Sequence, residues 1–194
     1  MYHISSDRRE QKSAEALVEA ALRIMLSDDP QKLTVSLLSR EAGCSRTTFY
    51  RLFDDPDDVL QYGADNVFLE MIGGYVDLIR RSEKLGLSVP APTQWYAEAF
   101  RKNADAIAAM YRIGKSDILM KAHKNALQKF APVLYPDLDP DSDEYVFFLD
   151  MRTSVLMGAV SAWVETGQKI SLSDIERCTA RHLRYLIGEE KKST

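Results

Sequence analysis

The sequence predicts an all-α fold from three observations. Apolar residues recur at helical spacing through most of the 194 residues. No stretch alternates apolar and polar residues as a half-buried strand does. The breaks between periodic runs carry Ser, Thr, Asp, Pro or Gly in the order that starts and stops helices. Apolar residues make up 45% of the chain, which excludes disorder as its main theme and leaves enough to bury a real core, in one domain or two small ones. There is no internal repeat or low-complexity tract.

The elements follow in order. Residues 1–10 are polar and are expected to be mobile. A first helix is expected over 11–26, with Leu17, Ala20, Ala21, Ile24 and Met25 on one face, ended by Ser27-Asp-Asp-Pro. Thr34 is suited to cap a second helix, whose apolar face is Val35, Leu38 and Ala42. Gly43 follows, where a left-handed residue ends a helix most easily. Ser45 caps a third helix, in which Phe49 and Phe53 are four apart and point together at Val35 and Leu38. In the acidic run 54–58, Asp55 as cap and Pro56 at the first position open a fourth helix reaching about residue 83. A loop over 86–92 precedes a helix over 93–112, broken near Asn103, and another over 116–130. Residues 132–142, with three prolines, read as a loop. A long helix over 143–166 is stopped by Gly167, and a last one over 171–187 is capped by Ser171 or Ser173.

The second and third helices, joined by the tight turn at Gly43-Cys44, have the layout of a helix-turn-helix, whose second helix lies in the DNA major groove. Arg binds guanine edges or phosphates, Thr meets a thymine methyl or a phosphate, and Tyr donates its hydroxyl to a phosphate. The candidate DNA contacts are Thr34, Ser45, Arg46, Thr47, Thr48, Tyr50 and Arg51. The other reading of the same pattern is a plain helical hairpin with solvated Arg and Thr. Net charge is −4, so binding would rely on a small local patch rather than a basic coat. Three arginines against one glutamate across 40–51 supply that patch.

Between about Lys12 and Leu60 the chain resembles the N-terminal DNA-binding domain of the TetR family of transcriptional regulators. The resemblance rests on Leu33-Thr-Val-x-x-Leu38 and on Glu41-Ala-Gly-Cys-Ser-Arg-Thr-Thr-Phe-Tyr-Arg-Leu-Phe53. It implies a three-helix DNA-binding head over 1–55 and a helical effector-binding and dimerisation body over 56–194. It further implies a repressor that a small molecule releases from its operator. Two positions depart from the family pattern. Leu52 stands where His is common, and Pro56, among four aspartates, stands where a phosphate-binding Lys is common. The aspartates repel phosphate, so either this helix end lies away from DNA or binding is weaker.

In the 143–166 helix Tyr145, Phe148, Leu149, Leu156, Ala159, Val160 and Trp163 form one apolar stripe, and Phe147, Met151, Val155 and Ala162 spread beyond it. A helix apolar on several sides is buried on several sides. A homodimer is expected, built from the last two helices of each chain as a four-helix bundle through Leu149, Leu156, Ala159, Val160, Trp163, Ile175, Leu183 and Leu186. A core helix within a monomer is the alternative. Candidate ligand contacts in the middle of the chain are Tyr75, Trp95, Tyr96, Phe100, Met110, Tyr111, Met120, His123, Phe147 and Met151. They suit an apolar cavity with a few polar handles, and equally plain core packing. His123 reads as a satisfied, half-exposed histidine rather than a ligand contact.

Three histidines and two cysteines lie too far apart for metal-ligand spacing, and no phosphate-binding glycine loop or nucleophile elbow is present. No enzyme, cofactor or metal is therefore expected. Cys44 packs as a small apolar residue, or senses redox state if its thiol pKa is low. Two cysteines, no signal peptide and no long apolar run point to a soluble cytoplasmic protein without a membrane partner. The reading is a regulator that binds a double-stranded DNA operator and an unidentified small-molecule effector. Its alternative is an activator or co-regulator acting through a protein partner.

Overall fold

The computed structural model describes residues 1–27, 32–89 and 92–186, and in them nine helices. They are α1 Arg8–Met25, α2 Val35–Glu41, α3 Arg46–Leu52, α4 Pro56–Leu85, α5 Pro92–Lys102, α6 Ala104–Arg112, α7 Ser116–Leu134, α8 Asp143–Glu165 and α9 Leu172–Leu186. Among the described residues no strand forms, and the sole β-type contact is an isolated bridge between Tyr2 and Phe53. The protein is all-α. Helices α1 to α3 pack together, α4 runs from them into the remainder, and α7 is its main packing partner. A single hydrophobic core runs from Ala14 on α1 to Val160 on α8.

Local chemistry sets most of the helix ends. The Thr34, Ser45 and Ser142 hydroxyls accept from backbone N–H groups three residues on, at 3.0 to 3.2 Å. Asp55 and Asp58 form a complete capping box at the start of α4, with Pro56 in its first turn. The Ser171 hydroxyl accepts from Asp174 N at 3.2 Å at the start of α9, and the side chain of Ser173 lies outside the described residues. The helix between 92 and 112 breaks at Asn103, as expected.

Two segments are ordered where the sequence suggested otherwise. The first residues are tied down: Tyr2 bridges to the extended Phe53, and His3 N donates to Leu52 O at 2.8 Å. The Tyr2 hydroxyl donates to Asp65 at 3.1 Å, and its ring meets Tyr62 edge-on. Tyr2 and Ile4 are the apolar members of a short extended strip that reads as polar when only its charges are weighed. Helix α1 accordingly begins at Arg8, capped by Asp7. Helix α7 also runs on to Leu134, through Pro132. Proline has no N–H for the carbonyl four residues back. The Gln128 carbonyl it leaves free accepts instead from the Tyr145 hydroxyl of α8, at 3.4 Å.

Helix α8 turns inward a stripe that overlaps the expected one at Tyr145, Leu149 and Val160 and adds Thr153 and Met157. Tyr145, Leu149, Thr153, Met157 and Val160 are buried within the chain. Phe147 stays 67% exposed and Met151 40%. Helix α8, at 23 residues with an 18-residue stretch of mean hydropathy 1.2, is also long and apolar enough, by length and composition, to cross a membrane. Asp150 and Arg152 at its centre oppose insertion, each by about 2.5–3.5 kcal/mol.

Candidate nucleic-acid interface

Helix α3 is held from behind and free in front. Phe49, Leu52 and Phe53 are fully buried, with Leu38 of α2 and Leu17 of α1 in the same core. The turn between the helices depends on Gly43, whose φ of 67° lies in the left-handed region that glycine enters without strain. Cys44 N then closes the turn on Ser39 O at 2.9 Å. The opposite face of α3 carries Arg46, Thr47, Tyr50 and Arg51, all exposed. Tyr50 is 58% exposed, a large aromatic left in water.

The predicted DNA residues divide into two groups. Arg46, Thr47 and Tyr50 form an open face. Arg51 shares it but lies 3.7 Å from the Glu10 carboxylate of α1. Thr34, Ser45 and Thr48 are occupied locally: the Thr34 and Ser45 side chains are caps, and the Ser45 and Thr48 hydroxyls lie 3.0 Å apart. Exposed Ser36, in the first turn of α2, was not singled out from the sequence. Its signal was its place just after a cap, where serine meets phosphate readily.

The acidic start of α4 is largely answered within the molecule. The N-terminal ammonium reaches Asp54 at 2.8 Å and Asp58 at 2.6 Å, and His3 Nε2 lies 3.0 Å from Asp54. The hydrogen bond from that ammonium, followed by the one from His3, holds the Asp54 carboxyl below the usual carboxylate range. Lys115, at the start of α7, pairs with Asp57 at 2.5 Å, and that hydrogen bond raises the lysine's pKa. Asp55 and Asp58 are spent on the cap. Repulsion of phosphate is thereby reduced from what four free aspartates would give. Burial pushes the Cys44 thiol up, opposite to what a redox sensor needs.

No family model matches the chain. Two HTH-type transcriptional regulators from two strains of Mycobacterium tuberculosis, MT1294 and Rv1255c, are each 24% identical to it over 163 residues, covering 78% of this chain and 78% of the relative. The chain is a helix-turn-helix transcriptional regulator. Its relatives are regulators, not enzymes, and its α2–α3 unit has the geometry that such a regulator needs. A solved structure, the fatty acid degradation regulator FadR from Bacillus halodurans, covers 87% of this chain and 93% of its own at 17% identity. Its TM-score of 0.46 is too low to bear on this chain's function.

The body holds an apolar cavity of about 90 Å³. Val18, Leu22 and Met25 of α1 line it together with residues of α4, α5, α6 and α7. Of the predicted ligand residues only Phe100 and Met110 are among its walls. Tyr75, Trp95 and Tyr96 pack as an aromatic group beyond it, and the Tyr111 hydroxyl donates to Met157 O at 3.2 Å. Met120, Phe147 and Met151 are exposed. His123 is 2% exposed rather than half-exposed, with Nδ1 3.0 Å from the Thr153 hydroxyl and its ring edge-on to Phe68. Burial drives its pKa down to about 4.

Gly63 on α4 is one of the wall residues outside the predicted set. A Cβ there would meet Val18 Cγ1 at 2.9 Å, so α1 and α4 approach closely at this point. A glycine inside a helix costs about 1 kcal/mol against alanine, and that cost was the available signal. Among the predicted dimer residues, Leu149 and Val160 are buried in the chain's own core. Leu156, Ala159, Trp163 and Ile175 are partly exposed. Leu183 and Leu186 lie outside the residues whose side chains are described.

Proposed function

We propose that this regulator is a TetR-like repressor that acts in the cytoplasm as a homodimer and leaves its operator when a small molecule binds the body. Residues 1–55 serve as the DNA-binding head and 56–194 as the effector and dimer body. The observation that carries the proposal is the open face of α3: Arg46, Thr47 and Tyr50 stand in water on a helix fixed by Phe49, Leu52 and Phe53. Two such helices about 34 Å apart enter successive major grooves of one operator.

The location of the cavity supports effector release. It touches α1, which packs on α2 and α3, and α4, which leads into the body. An effector that prefers a different α1–α4 spacing weakens DNA binding by its difference in affinity for the two states. The partly exposed apolar side of α8, with Ile175 of α9, supports the dimer.

The test is selection of bound fragments from source genomic DNA by the full chain, at about 50 and 200 mM salt. A palindrome with half-sites about one turn apart is expected, and its neighbouring genes give compounds for release assays. An intact dimer that selects nothing at either salt rejects the proposal.

A further inference from the structure

One helical turn beyond the cavity, away from the head, a second cluster gathers whose chemistry differs from the cavity's. Tyr75 follows the wall residue Met71 by four positions on α4, and Tyr96 precedes the wall residue Phe100 by four on α5. Their rings lie 6.2 Å apart. Tyr135, at the end of α7, meets Phe148 of α8 edge-on at 4.8 Å. The Arg152 guanidinium, one turn after Phe148, lies 5.4 Å from the Tyr135 ring centre.

In this cluster the polar groups of Arg152, Tyr96 and Tyr135 are not used up. Among the described residues no carboxylate pairs with Arg152, while the neighbouring Asp150 is held by Lys124 at 2.5 Å. The Tyr96 and Tyr135 hydroxyls make no hydrogen bond to the described residues, although Tyr96 is only 8% exposed. Burial pushes the Tyr96 phenol up to about 12 and raises that of Tyr135 as well, while Arg152 acts on both in the opposite sense. Both phenols are therefore neutral donors at pH 7. A guanidinium beside neutral hydroxyl donors, in an apolar and aromatic surround, is the arrangement that takes a carboxylate.

We infer that Arg152, with the hydroxyls of Tyr96 and Tyr135, is the anion-binding end of the effector site, and that the effector is a small organic carboxylate with an apolar or aromatic body. This rests on the effector-released reading above. The carboxylate meets Arg152 and the phenols, and its body lies against Tyr75 and Trp95 towards Met71 and Phe100.

The test is a thermal-shift titration of the full chain with benzoate and hexanoate, with benzamide and hexanamide as uncharged counterparts, and with inorganic phosphate. Arg152→Gln and Tyr96→Phe are run beside the wild type. Arg152 is exposed, so Arg152→Gln keeps the unliganded melting temperature. At least one carboxylate is expected to raise the wild-type melting temperature where its amide does not, with roughly tenfold or greater loss of affinity in Arg152→Gln and a smaller loss in Tyr96→Phe. Equal shifts from acid and amide, no shift from either acid, or an undiminished shift in Arg152→Gln overturns the inference. An Arg152-dependent shift from phosphate alone, with none from the acids, also overturns it and gives the site to phosphate. DNA retardation on the same preparations separates the two readings. Retained DNA binding without a ligand shift removes only this site, and a ligand shift without DNA binding removes the regulator model instead.

Discussion

Arg46 and Tyr50 flank Phe49 on α3, and the contrast between them sets what each substitution does. Phe49 is fully buried, so truncating it costs stability; Arg46 and Tyr50 are exposed, the Tyr50 ring meeting Phe49 only edge-on at 5.6 Å. Arg46→Ala and Tyr50→Ala are each expected to weaken operator binding by about 1–3 kcal/mol without moving the melting temperature. Arg51→Ala should cost less, because the arginine gives up its approach to Glu10 to reach DNA. Fluorescence anisotropy on the recovered operator measures all three, and unchanged affinity in Arg46→Ala and Tyr50→Ala would refute the assigned face. His123 gives a separate, pH-dependent expectation. Its folded pKa of about 4 lies below the ordinary 6.5, so the unfolded chain binds the proton more tightly. Nothing is lost above pH 6.5, and stability falls as pH drops from there to 4, by about 3 kcal/mol in total. Carboxylates titrate over the same range, so the readout is the difference between wild type and His123→Asn, which keeps a polar atom near the Nδ1 position. Parallel stability curves for the two proteins would contradict this account. Caps such as Thr34, Ser45 and Asp55 were legible because they act within three residues. The burial of His123 was not, since it needs α4, α7 and α8 in place.

Among the elements, the helix-turn-helix and α4 were readable because short-range rules fix them: a cap, a glycine turn and an apolar pair four apart. What escaped were features that long-range packing decides. The first residues are held by Phe53, Asp54 and Asp65, more than fifty positions away. Pro132 sits inside α7 because a tyrosine on another helix takes up the carbonyl it frees. The cavity's share of α1 was not legible, because Val18 and Leu22 look like ordinary core positions in a first helix. That junction can be tested directly. Gly63→Ala puts a methyl 2.9 Å from a γ-carbon of Val18. The β-branched Val18 has little rotamer freedom with which to yield, so α1 must move on α4. The alanine adds about 1 kcal/mol of helix propensity while the clash opposes it. The chain should therefore stay folded, and operator affinity should fall several-fold by anisotropy. Compensating Val18→Ala in the same chain should restore it. Equal affinity for wild type and Gly63→Ala would mean that the α1–α4 spacing does not control the head.

At the scale of the whole molecule, the proposed mechanism requires two chains. Helix α8 buries one stripe against α7 and α6 and leaves Phe147 and Met151 exposed on another side. Such a surface is costly in water unless a second chain covers it. Leu149 and Val160, on the opposite side, are already spent on the chain's own core, and Leu156 and Trp163 lie on that side as well, so the interface has to be built around Phe147, Met151 and Ala162 instead. That difference arises because the apolar positions of α8 occupy more than one face, and periodicity alone does not say which face meets which neighbour. A stable interface of this kind buries about 1,200–2,000 Å² in total. The substitution Met151→Glu adds an unpaired carboxylate to that surface in each subunit, while in the monomer the same side chain stands in water. Sedimentation equilibrium at micromolar concentration should show wild-type dimer and Met151→Glu monomer, with little change in helical content. DNA affinity should fall along with the dimer, and more steeply for the full palindrome than for a half-site, because only the dimer joins two recognition helices in one binding event. A Met151→Glu chain that remains dimeric and binds the palindrome normally would remove this face of α8 from the interface. A wild type that is itself monomeric would remove the dimer, and with it the spacing argument for release.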